Sequence, residues 1–226
     1  MKALVHHEFG RASAVLRLDE IETPTPGEGE VLVRVMASSA NPYDWHFIRG
    51  EPWFMRLGPG GLRVPKQPVP GADFAGTIEA VGSGDVGGYA VGDEVYGLQH
   101  GAYAEFVVAK PERMARKPAG IGWEEAASLP MAAVTAMQGL KDVGQVTAGD
   151  KVLIVGASGS ICILAVQMAV AWGAEVTGVC STRNVEMVRA LGADQGGHAD
   201  RVELTGVDLG GGAGGPVTGG VLVGQE

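Results

Sequence analysis

The stretch Lys151-Val152-Leu153-Ile154-Val155-Gly156-Ala157-Ser158-Gly159-Ser160-Ile161-Cys162 decides the fold. Lys151 to Gly156 is a short apolar run with the make-up of a buried parallel strand. A glycine-containing turn follows, and Ser160 to Trp172 continue as an apolar helix. Downstream, Glu175 to Cys180 read as a second strand and Asn184 to Leu191 as a second helix. Together they form a βαβα unit, half of a doubly wound dinucleotide-binding sheet.

The turn carries the chemistry. A small residue, Ala157, lets the backbone bend sharply, and Gly159 lets a pyrophosphate approach the amides at the positive end of the helix. Ala157, Ser158, Gly159, Ser160 and Ile161 are therefore the candidate phosphate-binding residues. Where a third glycine would allow close helix-to-strand packing stands Cys162, which is expected to loosen that packing or push the helix outward. Many glycine turns merely join a strand to a helix; the second strand at the right distance favours nucleotide binding. At the end of that strand, Ser181-Thr182-Arg183-Asn184 offers hydroxyls and a guanidinium, with no carboxylate before Glu186. A ribose 2′-hydroxyl calls for a carboxylate and a 2′-phosphate for arginine, so Ser181, Thr182 and Arg183 point to NADP rather than NAD. The alternative is a hydroxyl that caps the next helix beside a solvated arginine.

Working outward, the chain has 226 residues, 46% of them hydrophobic, which is enough for one large or two small domains with packed cores. From Met1 to about Pro118, strand-like runs (Glu30 to Met36, Ala75 to Val81, Asp93 to Tyr96, Ala102 to Val108) are cut by Pro and Gly, as in a compact β domain. Gly50 to Pro70 reads as an irregular surface loop. Near Gly122 the pattern turns helical, with one helix opening at Trp123 and another over Met131 to Lys141. The expected organisation is a β domain over 1–121, a partial dinucleotide-binding domain over 122–194 and an atypical tail over 195–226. Eleven of the 37 glycines fall in that tail, which is expected to be disordered.

A formal net charge of −9 argues against a phosphate-backbone binder, so no nucleic-acid partner is expected. No run of 18 apolar residues occurs, and no membrane association is expected. Two cysteines, Cys162 and Cys180, are too few for a disulfide scaffold or a four-cysteine zinc site, and a reducing, cytoplasmic setting is expected. The five histidines show no ligand spacing.

Several blocks, in order and spacing, resemble the zinc-independent quinone reductase-like branch of the medium-chain dehydrogenase/reductase superfamily. They are Asn41-Pro42-Tyr43-Asp44-Trp45, Pro70-Gly71-Ala72-Asp73-Phe74-Ala75-Gly76, Gly92-Asp93-Glu94-Val95-Tyr96-Gly97, Gly101-Ala102-Tyr103-Ala104-Glu105, Ala126-Ala127-Ser128-Leu129-Pro130, Thr135-Ala136, the phosphate turn and Leu191-Gly192-Ala193-Asp194. The resemblance covers residues 1 to 194. It implies an α/β plus β architecture, a GroES-like β domain followed by a Rossmann domain, and NADPH-dependent reduction of a quinone or α,β-unsaturated carbonyl. It places Asn41 and Asp44 on a cleft-facing loop and Thr135 near the nicotinamide. At the loci where zinc-dependent members carry Cys and His, this chain has Asn41 to Asp44 and Gly71-Ala72-Asp73, so no zinc site is expected. Tyr43 either orients substrate or supplies a proton, or else packs with Trp45 and Phe47. Asp44 either serves the chemistry or bonds the local backbone.

The resemblance stops at Asp194 or Gln195. Val202 to Leu209 and Val217 to Val223 are strand-like but have no helix between them, and a parallel crossover needs about a dozen residues or more. The expected Rossmann domain is incomplete. One expectation is a truncated or frameshifted product with little or no activity and an open edge at a normally central strand, at most a nucleotide-binding fragment or an interaction module; the other is a genuine short protein. Full-length members allow a homodimer, which the missing half-sheet argues against here.

Overall fold

In the computed structural model the chain divides into two compact units, Met1–Met131 and Ala132–Glu226. Residues 1–56, 61–193, 195–198 and 220–224 are described; the expected strand Val202 to Leu209 lies outside them.

In the first unit β1 (Lys2–Val5), α1 (Ala12–Val15) and β2 (Arg17–Glu20) make a small antiparallel pair that the sequence reading missed. A five-stranded antiparallel sheet follows, built from β3 (Val31–Ser38), β4 (Asp73–Val81), β5 (Glu94–Leu98), β6 (Phe106–Ala109) and β7 (Met114–Arg116), in the order β6-β3-β4-β5-β7. Val31, Val33, Phe74, Ile78 and Val95 form its core. Between β3 and β4 lies α2 (Pro42–Arg49), also missed, although its signals are present in the sequence. Proline stands at its first turn, and Gly50 ends it in the left-handed region at φ 60°.

Helix α3 (Trp123–Ser128) lays Ala126 and Ala127 against Ala75, all three buried. These methyl-sized side chains allow helix and sheet to approach closely, and α3 lies within the first compact unit.

The second unit opens within α4 (Pro130–Met137), which continues as a wider helical turn over Gln138–Val143. Then come β8 (Lys151–Val155), α5 (Ser160–Ala171), β9 (Glu175–Cys180), α6 (Val185–Ala190), β10 (Gln195–His198) and β11 (Gly220–Gly224). The sheet runs β10-β9-β8-β11, with β8, β9 and β10 parallel and β11 antiparallel to β8. Its core gathers Leu140, Val152, Ile154, Ala165, Val166, Ala169, Val176 and Val188. The βαβα unit thus has the expected order. Cys162 does not loosen it: its thiol approaches the Val155 carbonyl at 3.7 Å, and Ala165, Val166 and Ala169 below it are inaccessible to solvent.

The tail departs from expectation where it is described. Gln195–His198 and Gly220–Gly224 are strands rather than disordered chain, and the β11 backbone lies along the β8 edge that was expected to stand open. An antiparallel neighbour needs no crossover helix and occupies the edge groups of β8.

Candidate functional site

The first unit gathers a buried polar network at the start of α2. Asn41 precedes the helix in an extended conformation, and its backbone N–H donates to Asp44 Oδ2 at 2.7 Å. Its carboxamide Nδ2 donates to Ser39 Oγ at 3.1 Å and to Asp73 Oδ2 at 2.9 Å. Asp73 opens β4 and is fully buried. It also accepts from Ser39 Oγ at 2.7 Å and, through Oδ1, from the Met131 backbone N–H at 2.9 Å. The carboxylate requires donors, which fixes the orientation of the Asn41 amide. Both amide hydrogens are therefore committed inside the protein, and Oδ1 remains as an acceptor.

Asp44 is 3% exposed. Tyr103 brings its hydroxyl to 3.1 Å from Asp44 Oδ2 and 3.1 Å from the Ser39 carbonyl oxygen. Asp44 Oδ1 is buried with no partner among the described residues. Burial pushes both carboxyls above the usual range, against the pull of their hydrogen bonds. Burial also raises the Tyr103 phenol, and Asp44 adds to the shift, so it stays protonated. Gly71 makes room for this tyrosine. It sits at φ +92°, and a Cβ there would lie 2.6 Å from the Tyr103 backbone nitrogen and 2.5 Å from its ring.

Tyr43 stands apart from that network. Its ring stacks on Phe47, centroids 6.1 Å apart, and remains 37% exposed. Burial first, then Asp44, raises its pKa. Trp45 does not join the expected aromatic group; it stacks on His46 and lies under the Arg49 guanidinium. Phe47 instead contacts two histidines, His6 with centroids 6.0 Å apart and His100 at 4.2 Å. His6 Nε2 and both ring nitrogens of His100 are buried without partners among the described residues. Burial, then the nearby His6, pushes His100 down to about 4, and burial lowers His6 as well.

The second unit holds the turn. Gly156 adopts φ +78°, and the N–H groups of Gly156 and Ala157 both donate to the Val179 carbonyl at 2.9 Å. Gly159 precedes α5 in an extended conformation, and no side-chain oxygen caps the helix. The helix thus presents first-turn N–H groups with no capping side chain. Ala157 is buried, Ser158 half-buried, and Gly159, Ser160 and Ile161 are exposed. Because β8 and β9 are parallel, Ser181, Thr182 and Arg183 follow β9 at the same end of the strands as the turn that follows β8. Ser181 Oγ accepts from Asn184 Nδ2 at 3.2 Å, and Arg183 is exposed with no ion pair among the described residues. Thr135 is exposed on α4.

Asn41 and Asp44 are thus in one network, and the phosphate-turn and strand-end residues lie at the same end of β8 and β9. Ser39, Asp73 and Tyr103 were missed as site residues. For Asp73 a signal existed, a carboxylate at the head of the apolar run Phe74-Ala75-Gly76; for Tyr103 there was none. Among the described residues no three His, Cys, Asp or Glu side chains converge as metal ligands, and no helix is long and apolar enough to cross a membrane.

Residues 27–119 match the family model of the alcohol dehydrogenase GroES-like domain. The chain is 36% identical over 206 residues to the chloroplast envelope quinone oxidoreductase homolog of Arabidopsis thaliana, covering 86% of this chain and 60% of that protein. It is 32% identical over 207 residues to the 2-methylene-furan-3-one reductase of Solanum lycopersicum, covering 86% and 51%. The structure of the quinone oxidoreductase from Coxiella burnetii is similar with a TM-score of 0.76 and 35% identity, over 87% of this chain and 61% of that one. The chain therefore spans about three-fifths or less of these relatives.

Proposed function

From the premise that the chain belongs to the quinone reductase-like branch of the medium-chain dehydrogenase/reductase superfamily, we propose NADPH-dependent, zinc-independent reduction of a quinone or an α,β-unsaturated carbonyl. The observation that carries it is the uncapped start of α5 after β8, with Arg183 just beyond the end of the neighbouring parallel strand β9. Ala157 to Ile161 would hold the pyrophosphate through backbone amides, and Ser181, Thr182 and Arg183 the 2′-phosphate, with Thr135 toward the nicotinamide. When bound, NADPH supplies the hydride.

The residues of the first unit bind and orient substrate. The Tyr43 phenol, kept protonated by its raised pKa, is the donor for the substrate oxygen on which charge develops. Asn41 offers Oδ1 to a hydroxyl, since its amide hydrogens are engaged by Ser39 and Asp73. Asp44 holds the Asn41 backbone and Tyr103 in place. The loci that carry metal ligands in zinc-dependent relatives hold Asn41, Asp44 and Asp73, whose polar groups bond to one another. A reducing compartment such as the cytoplasm suits the two free cysteines.

A second reading, nucleotide binding without turnover, is favoured by β11, which lies antiparallel where a parallel strand would extend the sheet. Titration with NADPH and NADH followed by fluorescence, then NADPH oxidation with a small quinone, separates the two. Saturable NADPH binding with turnover of about 1 per second supports the reductase. Binding with no turnover supports the second reading, and absence of binding overturns both. Zinc analysis of dialysed protein is expected to find none, and near one per chain would overturn the zinc-free assignment.

A further inference from the structure

A cavity of about 360 Å³ has Tyr43 in its wall, and its described lining residues all belong to the first unit. Its volume falls at the lower end of the range for small-molecule sites. Tyr43 and Phe47, stacked with an interplanar angle of 28°, give it a flat aromatic wall. Lys110 and Arg113 line it, and neither makes an ion pair among the described residues. Gln99 and Gln67 add amides without side-chain partners there. Glu30, the single carboxylate among the described lining residues, accepts from the Gly27 backbone N–H through Oε2 at 3.0 Å.

In a chain of net charge −9, two cations with no ion pair among the described residues, lining the same cavity as an aromatic pair, form a local exception. We propose that this cavity binds a small aromatic carboxylate, its ring against Tyr43 and Phe47 and its carboxylate on Arg113 and Lys110. A guanidinium matches the two oxygens of a carboxylate in one plane, and the amides supply further donors around it. A neutral ligand would leave both cations unmatched, and inorganic phosphate would leave the aromatic wall uncovered. The site shares Tyr43 with the proposed reductase site but needs no nucleotide, so its occupancy is measured without cofactor.

The experiment is calorimetric titration of the 226-residue chain, without cofactor, using 2-naphthoate. Neutral 2-naphthamide, inorganic phosphate and the exposed-residue variants Arg113→Gln and Lys110→Gln serve as comparisons, with circular dichroism to confirm that the variants fold. The expected result is saturable binding near one naphthoate per chain, weakened about tenfold by Arg113→Gln and less by Lys110→Gln. The amide and phosphate should each bind at least tenfold more weakly than naphthoate. Saturation-transfer NMR should place the naphthoate ring beside Tyr43 and Phe47 protons. Failure of naphthoate to saturate overturns the proposal, as do equal affinity for the amide or phosphate and indifference to both substitutions. Failure to bind NADPH, by contrast, would leave these outcomes unchanged.

Discussion

The carboxamide of Asn41 donates to Asp73 Oδ2 at 2.9 Å, joining the head of α2 to the head of β4 across 32 positions of sequence. Asp73 is the hub of the polar network, because its two oxygens accept from Asn41, Ser39 and the Met131 backbone. Asp73→Ala strands three donors in a buried site. A loss of about 3 kcal/mol is expected from unsatisfied groups of this kind. Urea unfolding should show a lower midpoint at unchanged slope; an unshifted midpoint would mean that water satisfies the donors equally well.

Gly71 is expected to tolerate no side chain. Alanine there is strained by the positive φ, and its Cβ meets the Tyr103 backbone, which cannot swing away as a flexible side chain would. Gly71→Ala should cost about 2 kcal/mol or more and pull Tyr103 from Asp44. Calorimetry gives the stability change, and the near-ultraviolet signal reports the tyrosine. Gly101→Ala is a useful comparison, since it too has positive φ but no atom within 4 Å of the added Cβ.

Acid should loosen the first unit through its histidines. His100 titrates near 4 in the folded protein and near 6.5 when unfolded, and His6 is shifted in the same direction. The unfolded state thus binds protons first, so this contribution is intact above pH 6.5 and is lost as pH falls toward 4. Asp44 and Asp73 work oppositely: with raised folded pKa values they favour the fold most when protonated. Melting temperature should fall between pH 6.5 and 4.5, and His100→Asn should flatten that limb. An identical pH profile for the variant would remove His100 as the cause.

Arg183→Ala should weaken NADPH about tenfold or more while leaving NADH unchanged, because only the former presents a 2′-phosphate for a charge-assisted pair. Competition binding against both nucleotides measures this. Equal losses for the two would make Arg183 a general electrostatic contributor.

Prolines at Val221 and Leu222 together should free the β8 edge. Neighbouring N–H groups in a strand point to opposite sides, so one of the two must face β8. The exposed edge then becomes available to another chain. Light scattering should register association in the double variant and less in the parent; equal scattering would show that β11 does not guard the edge.

The βαβα order, the phosphate turn and the hydroxyl-and-arginine strand end were legible in the sequence because each rests on a local rule. Apolar runs, helix periodicity and glycine turns act over neighbouring residues. Helix α2 was equally local, its proline and Gly50 standing in plain view, and was still overlooked. The tertiary structure alone decided that Asn41 has spent its amide hydrogens, that Tyr103 meets Asp44 and that His6 and His100 flank Phe47. It also decided that Gly220–Gly224 lies along β8. These pairings join positions tens of residues apart, and strand register and core packing select them. Where one buried donor finds its acceptor therefore depends on how the surrounding sheets and helices close, a relationship that no local pattern encodes.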